Sequence, residues 1–291
     1  MTSNRWVLAA RPPTLLAAVS PVLVGTASAW RGGVASIAPF IGILASAVAI
    51  QIGVNFANDL ADAEKGADTE ARIGPLRTVS SGLISPTEMR MGIAVVFGAA
   101  VVGGLYLAWF AGWVVIAIGV VSIVAALGYT NGPIPYGYYG LGEVFVFVFF
   151  GLVATAGTRY VFDQSVPSEA WVGGIVIGLL AAAILEANNI RDLDTDREAG
   201  KHTLAVVVGR VAARHLYAGT LAAAMVIVLV GSLSTLLPPM CIITLVVAPL
   251  GIPLIQTVYG TTDGPALIGV LKGTAMLQFL TALMLSLGIV F

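Results

Sequence analysis

Apolar residues run the length of this 291-residue chain in long blocks broken by short polar intervals. A helix that crosses a bilayer needs about 20 consecutive apolar residues. By that measure the chain is predicted to hold nine such helices, over 15–30, 36–57, 89–110, 112–130, 140–160, 171–188, 212–233, 239–259 and 266–291. The expected fold class is all-α: a polytopic membrane bundle of nine transmembrane helices, forming a single membrane-embedded domain over 1–291. The opening stretch has a second reading. Arg5 and Arg11 precede an apolar run that ends on Ala27-Ser28-Ala29, the shape of a cleaved signal. It is kept as the first span because everything after it is membrane-embedded. Two polar intervals stand out by length, 58–88 and 189–211.

Composition agrees with the pattern. The chain is 58% hydrophobic and 10% charged, with a mean hydropathy of +0.97, whereas a soluble domain is about a quarter charged. The bilayer is therefore an expected partner. A net charge of −1 gives no basic surface for nucleic acid. No stretch points to a protein partner. Cys241 is the only cysteine, so a disulfide or cysteine-based metal site within one chain is excluded. With the N-terminus inside, Arg5, Arg11, Lys65, Arg72, Arg77, Arg90, Arg191, Arg197, Lys201, Arg210, Arg214 and Lys272 fall on one face, and only Arg31 and Arg159 on the other. The positive-inside rule makes the first face cytoplasmic, and both long polar intervals lie on it. Arg159, near the outer end of its span, is expected to snorkel.

The two polar intervals resemble each other. Asn55 matches Asn188 and Asp59-Leu60 matches Asp192-Leu193 at a separation of 133 residues; Gly66 matches Gly200 and Thr69 matches Thr203 at 134. The unit spans four helices, so both copies return to the same membrane face, a parallel internal repeat of four helices. Asn55, Asn58, Asp59 and Asp62 are spaced by three or four residues and share a helix face, as do Asn188, Asp192 and Asp196. Carboxylates packed this way repel one another and are costly near lipid. A hard divalent cation relieves both problems, and Mg2+ is commonly held by one or two carboxylates plus substrate phosphates. Arg72, Arg77, Arg191 and Lys201 accompany the acids, and cations of this kind stabilise a departing diphosphate.

At these residues the sequence resembles the UbiA superfamily of membrane prenyltransferases. Asn58-Asp59-x-x-Asp62 and Asp192-x-x-x-Asp196 look like its two Asp-rich motifs, and the resemblance runs over nearly the whole chain. Three stretches are similar to the branch that prenylates dihydroxynaphthoate in menaquinone synthesis: Gly66 through Gly82, Tyr129 through Glu143, and Asn188 through Ala205. There are departures. Gly66 stands where many members carry an acid, with Asp68 as the substitute, and Pro133 stands where many carry a lysine.

The resemblance implies an enzyme of a bacterial or archaeal cell membrane, with its active site on the cytoplasmic face. Its substrates would be a polyprenyl diphosphate and 1,4-dihydroxy-2-naphthoate, the latter losing CO2; 4-hydroxybenzoate or homogentisate are the alternative acceptors. Asp59, Asp62, Asp192 and Asp196 would be the catalytic, Mg2+-holding acids. Asn55, Asn58, Asp68, Arg72, Arg77, Tyr129, Asn131, Glu143, Asn188, Arg191 and Lys201 would bind substrate. Tyr129 and Asn131 are expected to line the acceptor site or anchor the interface. Glu143 either orients the acceptor hydroxyl or caps its helix. Glu186, a turn and a half before Asp192, is a candidate supporting neighbour. A polytopic transporter is the rival reading, but transporter sites sit near the bilayer midplane, and these acids lie at helix ends.

Overall fold

A computed structural model describes residues 4–66, 76–130 and 135–291, and every described element is helical. In order they are α1 (Arg5–Ala10), α2 (Pro12–Arg31), α3 (Ile37–Glu64), α4 (Pro86–Ala111), α5 (Trp113–Gly128), α6 (Gly142–Asp163), α7 (Ser168–Arg191), α8 (Leu193–Glu198), α9 (Leu204–Val208), α10 (Arg210–Leu233), α11 (Pro239–Gly260) and α12 (Gly264–Val290). Eight of them are long and apolar enough to cross a membrane. The expected ninth, α5, is apolar but has 16 residues, about 24 Å of helix against a hydrocarbon core of about 30 Å.

Local chemistry sets the ends. Ser85 and Glu88 form a reciprocal capping box with Pro86 in the first turn of α4, and Asp263 accepts from Ala266 N to start α12. Gly112 joins α4 to α5 at φ 77°, a left-handed conformation glycine adopts without strain.

Hydrogen bonds between connections show which helix ends lie together. On one side Arg5 donates to Leu83 O, His202 N to Tyr138 O and Arg214 to Thr261 O. On the other, Ser28 donates to Glu169 and Arg31 to Ile289 O. Trp30, Trp109, Trp113 and Trp171, all exposed, gather on the second side, as interfacial aromatics do. Arg159 departs from expectation there. It is 4% exposed and paired with Asp163 one turn on, because an intramembrane cation with an acid in reach is cheaper paired than stretched to water.

α7 is the most deeply buried span and α4 the least. Around α7 pack α2, α6, α10 and α12 in the main core, which includes Val24, Ile177, Leu180, Tyr217, Leu267 and Leu285. The α6–α7 contact is backbone to backbone. A Cβ on Gly151 would lie 2.4 Å from Gly178 Cα and 2.5 Å from Gly174 O, and small residues are what permit such approach. Gly151 sits where α6 widens into a π-helical stretch, Phe147–Val153. Valines 95, 102, 124, 226 and 246 are exposed and do not line the cavity, as expected of the surface a bilayer covers.

Candidate active site

α3 carries its acids on adjoining faces of its last turns. Asn55, Asn58 and Asp62 line the large central cavity. Asp59, 1% exposed, turns to the returning chain instead, where its Oδ2 accepts from Thr78 N at 3.0 Å and Thr78 Oγ1 at 2.8 Å. Asp59 Oδ1 is buried without a hydrogen-bond partner. Asn55 ties α3 to the start of the chain by donating to Ala10 O at 2.8 Å and Thr14 Oγ1 at 2.9 Å. Asn58 Oδ1 accepts from Thr130 Oγ1 at 2.9 Å. Asp62 pairs with Arg77, and its Oδ1 accepts from the Tyr138 hydroxyl at 3.1 Å.

The second acidic segment leaves α7. Arg191 grips the neighbouring Asp192 with Nε at 2.7 Å and Nη2 at 2.5 Å, and also donates to Asn188 Oδ1 at 2.8 Å. Asp196, on α8, faces Lys201 Nζ at 3.7 Å. Burial pushes the Asp196 carboxyl up to about 6, the charges of Asp192 and Asp62 adding to the rise while Lys201 opposes it. Asp62 belongs to the first segment, so the two acidic ends are close enough to feel each other.

Tyr138, in the connection between α5 and α6, joins them physically. Lys65 from the first segment and Lys201 from the second each sit 4.9 Å from its ring centroid, a cation–π distance. Its carbonyl accepts from His202 N at 2.9 Å. Lys65 also donates to Thr130 O.

These groups form the polar end of a cavity of about 1230 Å³. Its other walls are mostly apolar, including Ile116, Gly119, Phe145, Phe149, Phe150 and Leu185, and it reaches Val161 of α6. Phe145 to Val161 is about 24 Å of helix. Val22, Ile43, Leu107, Val115 and Val161 close the far end as a buried cluster that also lines the cavity. Val101 and Leu105 of α4 and Ile116 and Val120 of α5 line it too and are 40–57% exposed.

Of the expected residues, Asn55, Asn58, Asp62, Arg77, Tyr129, Asn188, Arg191, Asp192, Asp196 and Lys201 all line the cavity. Asp59 and Glu143 do not. Glu143 is 7% exposed at the start of α6, where its Oε1 accepts from Asn189 Nδ2 at 2.7 Å. Asp68, Arg72 and Asn131 lie outside the described residues. Tyr129 is pushed above the ordinary phenol value by burial first and by the Glu143 charge second. Sequence reading missed Lys65, Thr78, Tyr138 and Asn189. Lys65 was legible, three residues past Asp62 on the same helix end.

No three His, Cys, Asp or Glu side chains among the described residues are grouped to hold a metal ion. The donor chemistry nonetheless suits a hard cation. Asp62, Asp192, Asp196, Asn58 and Asn188 present oxygens to one cavity end, and Asp59 Oδ1 is a buried, unpartnered carboxylate oxygen beside it.

The sequence profile of the UbiA prenyltransferase family matches residues 18–283. The chain belongs to that family. It is 41% identical over 283 residues to the 1,4-dihydroxy-2-naphthoate octaprenyltransferase of Mycobacterium tuberculosis, covering 96% of this chain and 94% of that one. Against the Escherichia coli protein of the same name it is 37% identical over 297 residues, with 99% and 95% covered. Among solved structures, a UbiA homologue from Aeropyrum pernix superposes with a TM-score of 0.71 at 17% identity, over 95% of this chain and 96% of that one. A UbiA homologue from Archaeoglobus fulgidus bound to GPP and Mg2+ superposes with a TM-score of 0.65 at 14% identity, over 97% and 100%. The chain thus has the family fold, and it is an integral membrane prenyltransferase.

Proposed function

We propose that this prenyltransferase moves a polyprenyl group from its diphosphate to 1,4-dihydroxy-2-naphthoate with loss of CO2, a step of menaquinone synthesis. The observation that carries the acceptor is the 41% identity, over nearly the full length, to a relative named for that reaction. The geometry supports the donor: an anion-handling end rich in acids and bases opens into an apolar cavity sized for an isoprenoid tail. Such a tail belongs out of water, and the apolar walls along α4, α5 and α6 give it that surrounding.

In this reading Asp62, Asp192 and Asp196 hold Mg2+, with Asp59 as a fourth acid that would first have to leave Thr78. The bound ion supplies charge neutralisation for the diphosphate. Arg77, Arg191, Lys65 and Lys201 neutralise the same leaving group through direct contacts, arginine by paired donors. Asn58 and Asn188 orient it as neutral groups. The C–O bond to diphosphate breaks with its electron pair on the leaving oxygen, the electron-rich ring attacks the allylic carbon, and the acceptor's ring–carboxylate bond breaks to release CO2 and return its electron pair to the ring. The cavity walls keep water from that carbon. The chain works as one membrane-embedded domain whose two acid-bearing halves are a parallel four-helix repeat. The acidic end faces the cytoplasm, on the strength of the lysine and arginine distribution, in a prokaryotic cell membrane.

The test is an assay of purified protein with labelled polyprenyl diphosphate and either dihydroxynaphthoate or 4-hydroxybenzoate, with and without EDTA. Prenylated naphthoate and released CO2 are expected in Mg2+ alone. Preference for 4-hydroxybenzoate overturns the acceptor, and full turnover in EDTA overturns the metal.

A further inference from the structure

Two acids lie deep in the bundle and outside the machinery above. Glu143 of α6 and Glu186 of α7 are 7% and 5% exposed. Each has one oxygen satisfied by a neutral donor. Glu143 Oε1 accepts from Asn189 Nδ2 at 2.7 Å, and Glu186 Oε1 from Thr220 Oγ1 at 2.9 Å. The second oxygen of each, Glu143 Oε2 and Glu186 Oε2, is buried with no hydrogen-bond partner. Both acids border the same small void of about 10 Å³, whose other walls are Leu204, Ala205, Ala213 and Leu216. Among the described residues, no lysine, arginine or histidine lines it.

The donor count decides what belongs there. Mg2+ and Ca2+ take six or more oxygens, and two carboxyl groups among four apolar side chains fall short. A buried water needs two to four polar partners and a void of about 10–15 Å³, which this place provides. Two carboxylates facing one void without a cation cannot both be charged at acceptable cost, and sharing protons is the way such pairs relax.

We propose that Glu143 and Glu186 form a closed proton-sharing site around one water, and that this site fixes the acceptor-facing amide of Asn189. Asn189 links the pair to the cavity: it lines the cavity wall while its Nδ2 is held by Glu143. Glu143 Oε1 stays an acceptor whether or not Oε2 carries the proton. The amide is therefore held with its nitrogen toward the pair and its carbonyl oxygen toward the cavity, where it accepts from a substrate hydroxyl. Glu143 and Glu186 are positioning residues; neither reaches the reacting atoms. That assignment of the hydroxyl rests on the dihydroxynaphthoate reading, whereas the proton-sharing site does not.

Infrared difference spectra of the full chain in lipid nanodiscs, without substrate, test the site itself. Wild type minus the Glu143→Gln/Glu186→Gln double variant should show a protonated-carboxyl C=O band that shifts in D2O, and each single variant should move that band. No such band overturns the site. Kinetics test the positioning. Glu143→Gln lets the amide at 189 turn either way, so the acceptor KM should rise roughly tenfold, the worth of about one hydrogen bond, with the donor KM unchanged. Asn189→Leu should raise the same constant, and Glu186→Gln should reproduce a weaker form of the effect. Equal changes in both KM values mean a merely structural role and overturn the positioning. A protein that ignores dihydroxynaphthoate sinks the proposed reaction, and the infrared band still decides the pair.

Discussion

Replacing Tyr138 with phenylalanine removes one hydroxyl and keeps the ring between Lys65 and Lys201. The hydroxyl donates to Asp62 at 3.1 Å, and a hydrogen bond to a charged group contributes about 1.5–3 kcal/mol. At about 1.4 kcal/mol per factor of ten, kcat/KM for the prenyl diphosphate should fall roughly 10- to 100-fold if Asp62 has to be held in place for the chemistry. Leucine at 138 also removes the ring, which lies 4.9 Å from both lysine ammonium groups. Each cation–π contact contributes about 0.5–2 kcal/mol, so Tyr138→Leu should be about a further tenfold worse. The assay is steady-state prenylation with the donor varied at saturating acceptor and Mg2+, on protein whose thermal transition matches wild type. Either of two results refutes the reasoning: Tyr138→Phe at wild-type kcat/KM, or Tyr138→Leu no worse than Tyr138→Phe.

Asp192→Asn should reduce turnover by at least about 100-fold and leave Arg191 holding a neutral partner; residual activity that no longer responds to EDTA would contradict a metal role for that carboxyl. Metal and proton compete for Asp196, whose carboxyl is raised by burial to about 6. Because only the deprotonated acid binds metal, apparent Mg2+ affinity should weaken as pH drops through that value and level off above it; titrations of activity against Mg2+ at several pH values check the slope. Gly151→Val puts a side chain into the backbone of α7, at 2.4 Å from Gly178 Cα, and overpacking of this kind costs about 1–3 kcal/mol or more. A thermal melt should show the loss, and activity should fall with it because both α6 and α7 line the cavity.

The spans were legible because a bilayer imposes one rule on every residue: apolar length decides. Helix bounds read from hydropathy alone missed the polar ends, since α3 runs on through Asp59 and Asp62 to Glu64 and α7 through Asn188 to Arg191. Hydropathy falls there while the backbone hydrogen bonds continue. The two acidic ends were legible from spacing, which put Asn58 and Asp62 on one cavity-facing side. Spacing did not separate Asp59 from them, because its direction is set by Thr78, a partner 19 positions away that no local pattern reveals. Tyr138 escaped for the same reason. Its role comes from Lys65 and Lys201, on segments distant in sequence, meeting at its ring.

The three cavity-facing aspartates each have a cation against them: Arg77 on Asp62, Arg191 on Asp192, Lys201 on Asp196. Leaving one charge buried without its partner is far costlier than burying the pair, so a site for a highly charged substrate at a membrane boundary needs partners in place before and after binding. Acids and bases in matched pairs meet that need. On the proposed reading, the three cations would turn from carboxylate to phosphate oxygens, and the carboxylates so released would be the ones to hold the metal, which keeps each charge paired. Tyr138 keeps Lys65 and Lys201 close during the exchange, since a ring face holds a cation without a fixed hydrogen-bond direction. The apolar cavity beyond gains from the same arrangement: the charge pairs sit at one end, and the stretch of α6 from Phe145 to Val161 lines the cavity largely with apolar side chains.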